Sequence, residues 1–205
     1  MAAPPLLLAS RHLGAVPAFL DRAGVAGRRA HLDVRAADPL PDGAAIVADL
    51  RREMMALGVD VVPERERADM MIVGPGDPFH LLRLLRAVPP AGIGTLPYIG
   101  VSAGAAVAAP TLAPLALTSP FTPPADLDLH GLNLCEVLVL CHRHRPGRAA
   151  LHRSARARFG TTIRMIELAD REAVEVHGGV AARVASPRVA RSSSGATPRG
   201  RRRDA

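Results

Sequence analysis

The chain has 205 residues, 48% of them apolar, a formal net charge of +7 and a pI near 11.1, enough to bury one substantial core. Six arginines (Arg188, Arg191, Arg199, Arg201, Arg202, Arg203) against one acid, Asp204, put most of that charge in residues 186–205; the rest is nearly neutral and, with one tyrosine, four phenylalanines and no tryptophan, offers few stacking platforms for nucleic acid. No apolar run is long enough to span a bilayer, and two cysteines, Cys135 and Cys141, do not make a disulfide framework.

In chain order, Leu6-Leu7-Leu8-Ala9 reads as a short buried strand, followed by a helical pattern over 14–23. Residues 29–34 predict a second strand. Residues 44–57 predict a helix with Ile46, Val47, Leu50, Met54 and Leu57 on one face, stopped by Gly58. Strands are predicted at 59–62 and 70–73, then a leucine-rich helix at 78–87. The run 96–101 suits a buried strand that starts at Pro97, and 103–109 is an alanine-rich helix limited by Pro110. A proline-rich loop over 110–128 leads to a strand at 137–140, a helix at 146–159 and short strands near 163–168, 173–176 and 180–184.

Strands alternating with helices imply parallel pairing through crossovers, hence an α/β three-layer sandwich with a mostly parallel sheet. One link departs from this pattern. Only residues 63–69 separate the third strand from the fourth, fewer than the dozen or so a parallel crossover needs. Either those strands are not parallel neighbours or a helix is missing. Residues 1–185 are expected to form one domain and 186–205 an Arg-rich disordered tail. Pro4, Pro5 and the absence of a basic N-terminal region predict a cytoplasmic protein.

The stretch Gly100-Val101-Ser102-Ala103-Gly104 sets a serine between two glycines where a predicted strand meets a predicted helix. That is the pattern of a nucleophile elbow, in which small neighbours tolerate a strained serine exposed above the sheet edge. The Ala103 amide then opens a helix, where it can donate to a developing oxyanion. His142, after the apolar strand 137–140, is the best candidate for the base, because active sites of α/β folds gather at the C-terminal ends of strands. Cys141, His142 and His144 do not share one face of an extended strand, so no metal site is expected there. Gly74 to Asp77 lacks the Lys-Ser/Thr pair of a phosphate loop. No cofactor is expected.

Three ordered segments resemble peptidase family S51: Met71 to Leu82, Tyr98 to Ala105 with Pro110-Thr111, and Gly131-Leu132-Asn133 running to His142. The resemblance covers roughly residues 5 to 185 and implies a class I glutamine amidotransferase-like fold. It further implies Ser102 as nucleophile, His142 as general base, and the Gly76 and Ala103 amides as oxyanion donors. The substrates implied are small peptides with an N-terminal aspartate, whose carboxylate Arg148 would grip. The partner expected is such a peptide, with no specific nucleic acid, no membrane and a homodimer as an open assembly. Two departures stand out. The family's Gly-Gly-Gly-Asn run reads Gly74-Pro75-Gly76-Asp77, and Pro75 has no amide to donate. The family's acid lies between serine and histidine, where this chain has Leu117-Thr118-Ser119-Pro120; Asp126 or Asp128 could substitute if the loop folds back. Without an acid, a catalytically impaired binding or regulatory protein is the competing expectation.

Overall fold

The computed structural model describes residues 3–88 and 93–189. Its strands are β1 (Leu6–Ala9), β2 (Arg29–Asp33), β3 (Asp60–Val61), β4 (Met70–Val73), β5 (Tyr98–Val101), β6 (Val137–Leu140), β7 (Arg164–Glu167), β8 (Glu172–His177) and β9 (Val180–Ala185). Its helices are α1 (Val16–Arg22), α2 (Gly43–Ala56), α3 (Pro78–Ala87), α4 (Ala103–Val107), α5 (Leu115–Thr118) and α6 (Arg148–Phe159). Seven strands form one sheet in the order β3-β2-β4-β5-β1-β8-β9, and β6 pairs with β7 separately. Strands β1 to β5 run parallel to their neighbours within that group, while β8 and β9 are antiparallel additions at one edge.

The short apolar runs are strands because both faces of the sheet are covered. Leu6, Leu8, Met71, Val73 and Tyr98 pack into one core with α3, α4 and β6. Leu7, Ala9, Met70, Ile72, Ile99 and Val101 turn the other way, against Val16, Phe19 and Leu20 of α1 and Leu50 and Met54 of α2. Alternation with period two thus sends one set of side chains to each covering layer. Helix α3 starts at Pro78 because Asp77 accepts hydrogen bonds from the amides of Phe79 (2.8 Å) and His80 (3.3 Å), two of the donors a helix N-terminus leaves unpaired.

The link at 63–69 resolves as the first of the two expectations. β3 and β4 lie on opposite sides of β2, so they are not neighbours. Val61, the last residue of β3, and Met70, the first of β4, both stand level with Ala30 of β2. The chain therefore steps sideways by about two inter-strand spacings and never has to return along a strand. Two local expectations change. The alanine-rich helix ends at Val107 rather than 109, and the proline-rich loop contains the single turn α5, which begins after Pro114.

At the far end Ser186 is fully buried. Its hydroxyl accepts from the Ala15 amide at 3.3 Å and donates to the His12 carbonyl, and its amide donates to the Arg171 carbonyl at 2.8 Å. Residues 190–205, most of the expected tail, lie outside the described residues. No described helix is long and apolar enough to cross a membrane.

Candidate active site

β1, β4 and β5 lie side by side, with Ala9 opposite Val101 and Val73 opposite Gly100. The residues that follow each strand therefore emerge together at the C-terminal edge: Ser10, Gly74 and Ser102. The Ser102 amide donates to the Ala9 carbonyl at 2.9 Å, which ties the elbow to the neighbouring strand β1. Ser102 has φ +51° and ψ −102°, a conformation that side chains avoid and that persists only when its surroundings impose it.

The elbow glycines show what imposes it. A Cβ at Gly100 would lie 2.5 Å from the Gly104 carbonyl oxygen, and one at Gly104 would lie 2.1 Å from the carbonyl oxygen of Val73 on buried β4. The buried Tyr98 hydroxyl donates to the Gly104 carbonyl at 2.6 Å and holds the first turn of α4 down on the sheet. Gly104→Ala is expected to destabilise the fold by about 3 kcal/mol, the upper range for overpacking, because both clashing partners are backbone. Gly24→Ala, with nothing within 4 Å of the added carbon but φ +67°, is expected to cost only about 1 kcal/mol. Urea unfolding of the two variants measures the difference.

Ser102 Oγ lies 3.2 Å from Nε2 of His142, and Nδ1 of the same ring lies 2.5 Å from Oδ1 of Asp170. His142 is also in an unusual backbone state, φ +65°. Its amide donates to the hydroxyl of the fully buried Ser10 at 3.0 Å, and its carbonyl accepts from the Arg145 amide at 2.9 Å. Both bonds fix where the ring projects. Burial lowers the His142 pKa, the hydrogen bond to Asp170 opposes that shift, and Arg145 reinforces it; the net direction is down. For Asp170, burial pushes the carboxyl up, but the bond from His142 and the nearby Arg145 outweigh it and hold it below the usual carboxylate range. Arg145 reaches Asp170 Oδ2 at 3.4 Å. A neutral imidazole between a hydroxyl and an ionised carboxylate can take a proton from the one while the other stabilises the charge that results.

Neither Asp126 nor Asp128 contacts the His142 ring, which instead meets Asp170. Asp126 is exposed, and Asp128 is held by Arg86 (3.1 Å) and His130 (2.6 Å). Asp170 follows β7, the parallel partner of β6, with Leu140 opposite Glu167. Two parallel neighbours end at the same edge, so the loops after them deliver His142 and Asp170 together. The signal was present as a carboxylate just past a strand end, but it lay after the histidine rather than before it.

Gly76 and Ala103 line the same cavity as Ser102 and His142, a volume of about 400 Å³ whose walls also include Pro75, Arg145, Arg148 and His152. Gly76 has φ +148°, and a Cβ there would come within 1.9 Å of the Ala36 carbonyl oxygen. Asp77, the next residue, donates its amide to that carbonyl at 2.8 Å, so the loop is pinned where only glycine fits. Among the described residues neither the Gly76 nor the Ala103 amide donates to a protein acceptor. Pro75 contributes apolar wall and no donor. Arg148 is half-buried at the start of α6, with its guanidinium on the Thr118 carbonyl; burial, then Arg145, lower its pKa. All five residues singled out from the sequence, Ser102, His142, Gly76, Ala103 and Arg148, thus meet at one cavity, and Asp170 and Ser10 are the additions.

The model of peptidase family S51 matches residues 58–184, more than half of the chain. No curated protein matches it. Among solved structures it is similar to a candidate peptidase E protein from Listeria monocytogenes EGD-e, with a TM-score of 0.71 and 19% identity over 90% of this chain and 99% of that one. It is also similar to a peptidase from an acI-B1 actinobacterium, with a TM-score of 0.55 and 15% identity over 86% of this chain and 84% of that one. At such identities the likeness speaks for the fold.

Proposed function

The chain belongs to peptidase family S51, and from that premise we propose that it is a serine peptidase that hydrolyses small acidic peptides, Asp-X dipeptides foremost, through an acyl-enzyme. The observation that carries this reading is the continuous contact from Ser102 Oγ through the His142 ring to Asp170, at 3.2 and 2.5 Å. A protein kept only for binding has no need of an aligned base and acid behind a strained serine.

In this mechanism His142 takes the Ser102 proton as Oγ attacks the carbonyl carbon of the aspartyl residue. The amides of Gly76 and Ala103 receive the oxyanion, and His142 returns the proton to the departing amine. Water, deprotonated by the same ring, then releases free aspartate. Arg148 offers the substrate side-chain carboxylate the donors its Thr118 contact leaves unused. With one amide fewer in the loop because of Pro75, the oxyanion depends on these two donors alone.

The test is release of free aspartate from Asp-X peptides beside matched Asn-X and Ala-X peptides, with mass spectrometry of the protein after fluorophosphonate treatment. An adduct on Ser102 and turnover confined to Asp-X support the reading. An adduct without aspartate release points to another acyl substrate, and neither outcome, in folded protein, restores the binding reading.

Activity should also depend on pH in a definite direction. The reaction needs His142 neutral, and its pKa is lowered. The acid limb of kcat/KM is therefore expected to rise with pH around a midpoint below about 6.5, the ordinary histidine value. A midpoint above that value would contradict a buried, desolvated base.

A further inference from the structure

His152 has no role in the chemistry above, yet it is among the most buried polar side chains of the fold, at 1% exposure, and it lines the cavity that holds Ser102. It lies one helical turn beyond Arg148 on α6, so the two share a face. Its Nδ1 has no hydrogen-bond partner and stands 3.6 Å from Glu167 Oε2, too far to bond. With Nδ1 toward Glu167, Nε2 is the ring atom turned away from it, and no described protein group bonds to it. A buried histidine with both nitrogens unbonded is costly, and here it borders a space built to be filled.

We propose that His152 is a specificity-determining residue: its Nε2 joins the Arg148 guanidinium in taking the side-chain carboxylate of the acidic residue whose carbonyl Ser102 attacks. The proposal rests on the reading of this site as one for acidic peptides. A substrate carboxylate at Nε2 would place the ring between two anions, itself and Glu167, and the ring would take up a proton from solvent to donate to both. Burial lowers the pKa of His152 and outweighs Glu167, with Arg148 and Arg156 acting in the same direction as burial. Those are the charges facing it: Glu167 from β7, Arg148 and Arg156 from its own helix. Neither α5 nor β6 has a titratable residue. Glu167 is in turn ion-paired with Arg156 at 3.1 Å, which keeps its carboxylate beside the ring. Binding of an acidic substrate is therefore coupled to proton uptake, and discrimination of Asp-X from Asn-X strengthens as pH falls.

The experiment is calorimetric titration of the full chain with L-aspartate and with its neutral isostere L-asparagine, in buffers of different ionisation enthalpy. Wild type is expected to bind aspartate with uptake of a proton. His152→Leu should weaken aspartate about 10- to 100-fold, the range for one charge-assisted hydrogen bond, and leave asparagine within about twofold, with the melting temperature held. His152→Gln, which keeps a neutral donor, is expected to retain part of the preference but no proton uptake, and it serves if the leucine variant does not fold. Equal losses for both ligands, unchanged aspartate binding in the variants, or no aspartate binding by wild type would each overturn the proposal. So would proton uptake that persists in His152→Gln. Aspartate binding of the expected kind without Asp-X turnover would instead leave His152 its role and overturn the Asp-X dipeptidase reading.

Discussion

Ser102→Ala is expected to lower kcat on Asp-X dipeptides by about 10⁶-fold, the scale seen when a triad nucleophile is removed, with the fold intact. The alanine keeps the Cβ, so it keeps the strained backbone at φ +51° and ψ −102°. Ser102→Gly should be as inactive but more stable than Ser102→Ala by about 1–2 kcal/mol, because glycine adopts that conformation without the strain. Assay of aspartate release together with denaturant unfolding of both variants reads the two effects separately. If glycine brings no gain, the elbow is not holding strain; if alanine retains turnover, the hydroxyl is not the nucleophile.

Asp170→Asn is the second large effect, a fall in kcat of about 10⁴-fold. An asparagine would fill the same space beside Nδ1 at 2.5 Å, but its amide cannot stabilise an imidazolium and can hold the ring in the wrong tautomer. The same change withdraws an interaction that raises the His142 pKa, so whatever activity remains should show its acid limb at still lower pH. Asp128→Asn, at a residue engaged with Arg86 and His130, is expected to leave kcat within about twofold, as surface changes away from a site do. Initial-rate pH profiles of the two variants discriminate sharply. Equal losses would return the acid to the loop before the histidine.

What could be read from the residues themselves was whatever local physics determines. Short apolar runs bounded by glycine and proline had to be buried strands, and their spacing with helices in between had to make a mostly parallel sheet covered on both faces. Gly100 and Gly104 around Ser102 marked the elbow because no other residue clears the Gly104 and Val73 carbonyls. His142 after β6 followed from the same rule, that strand ends in such a sheet converge.

The remainder was decided by which strands are neighbours, and a linear pattern does not carry that. The short link at 63–69 became intelligible only once Val61 and Met70 were seen level with Ala30 on either side of β2. Asp170 came to stand beside His142 because β7 pairs in parallel with β6, an arrangement set by side-chain packing between segments far apart in the chain rather than by any local signal. His152 joined the cavity because the helical period carries its ring to the face that Arg148 shares. Residue type and period sufficed for elements and for the elbow; the partners of each functional atom depended on long-range pairing, whose energy is spread over the whole core.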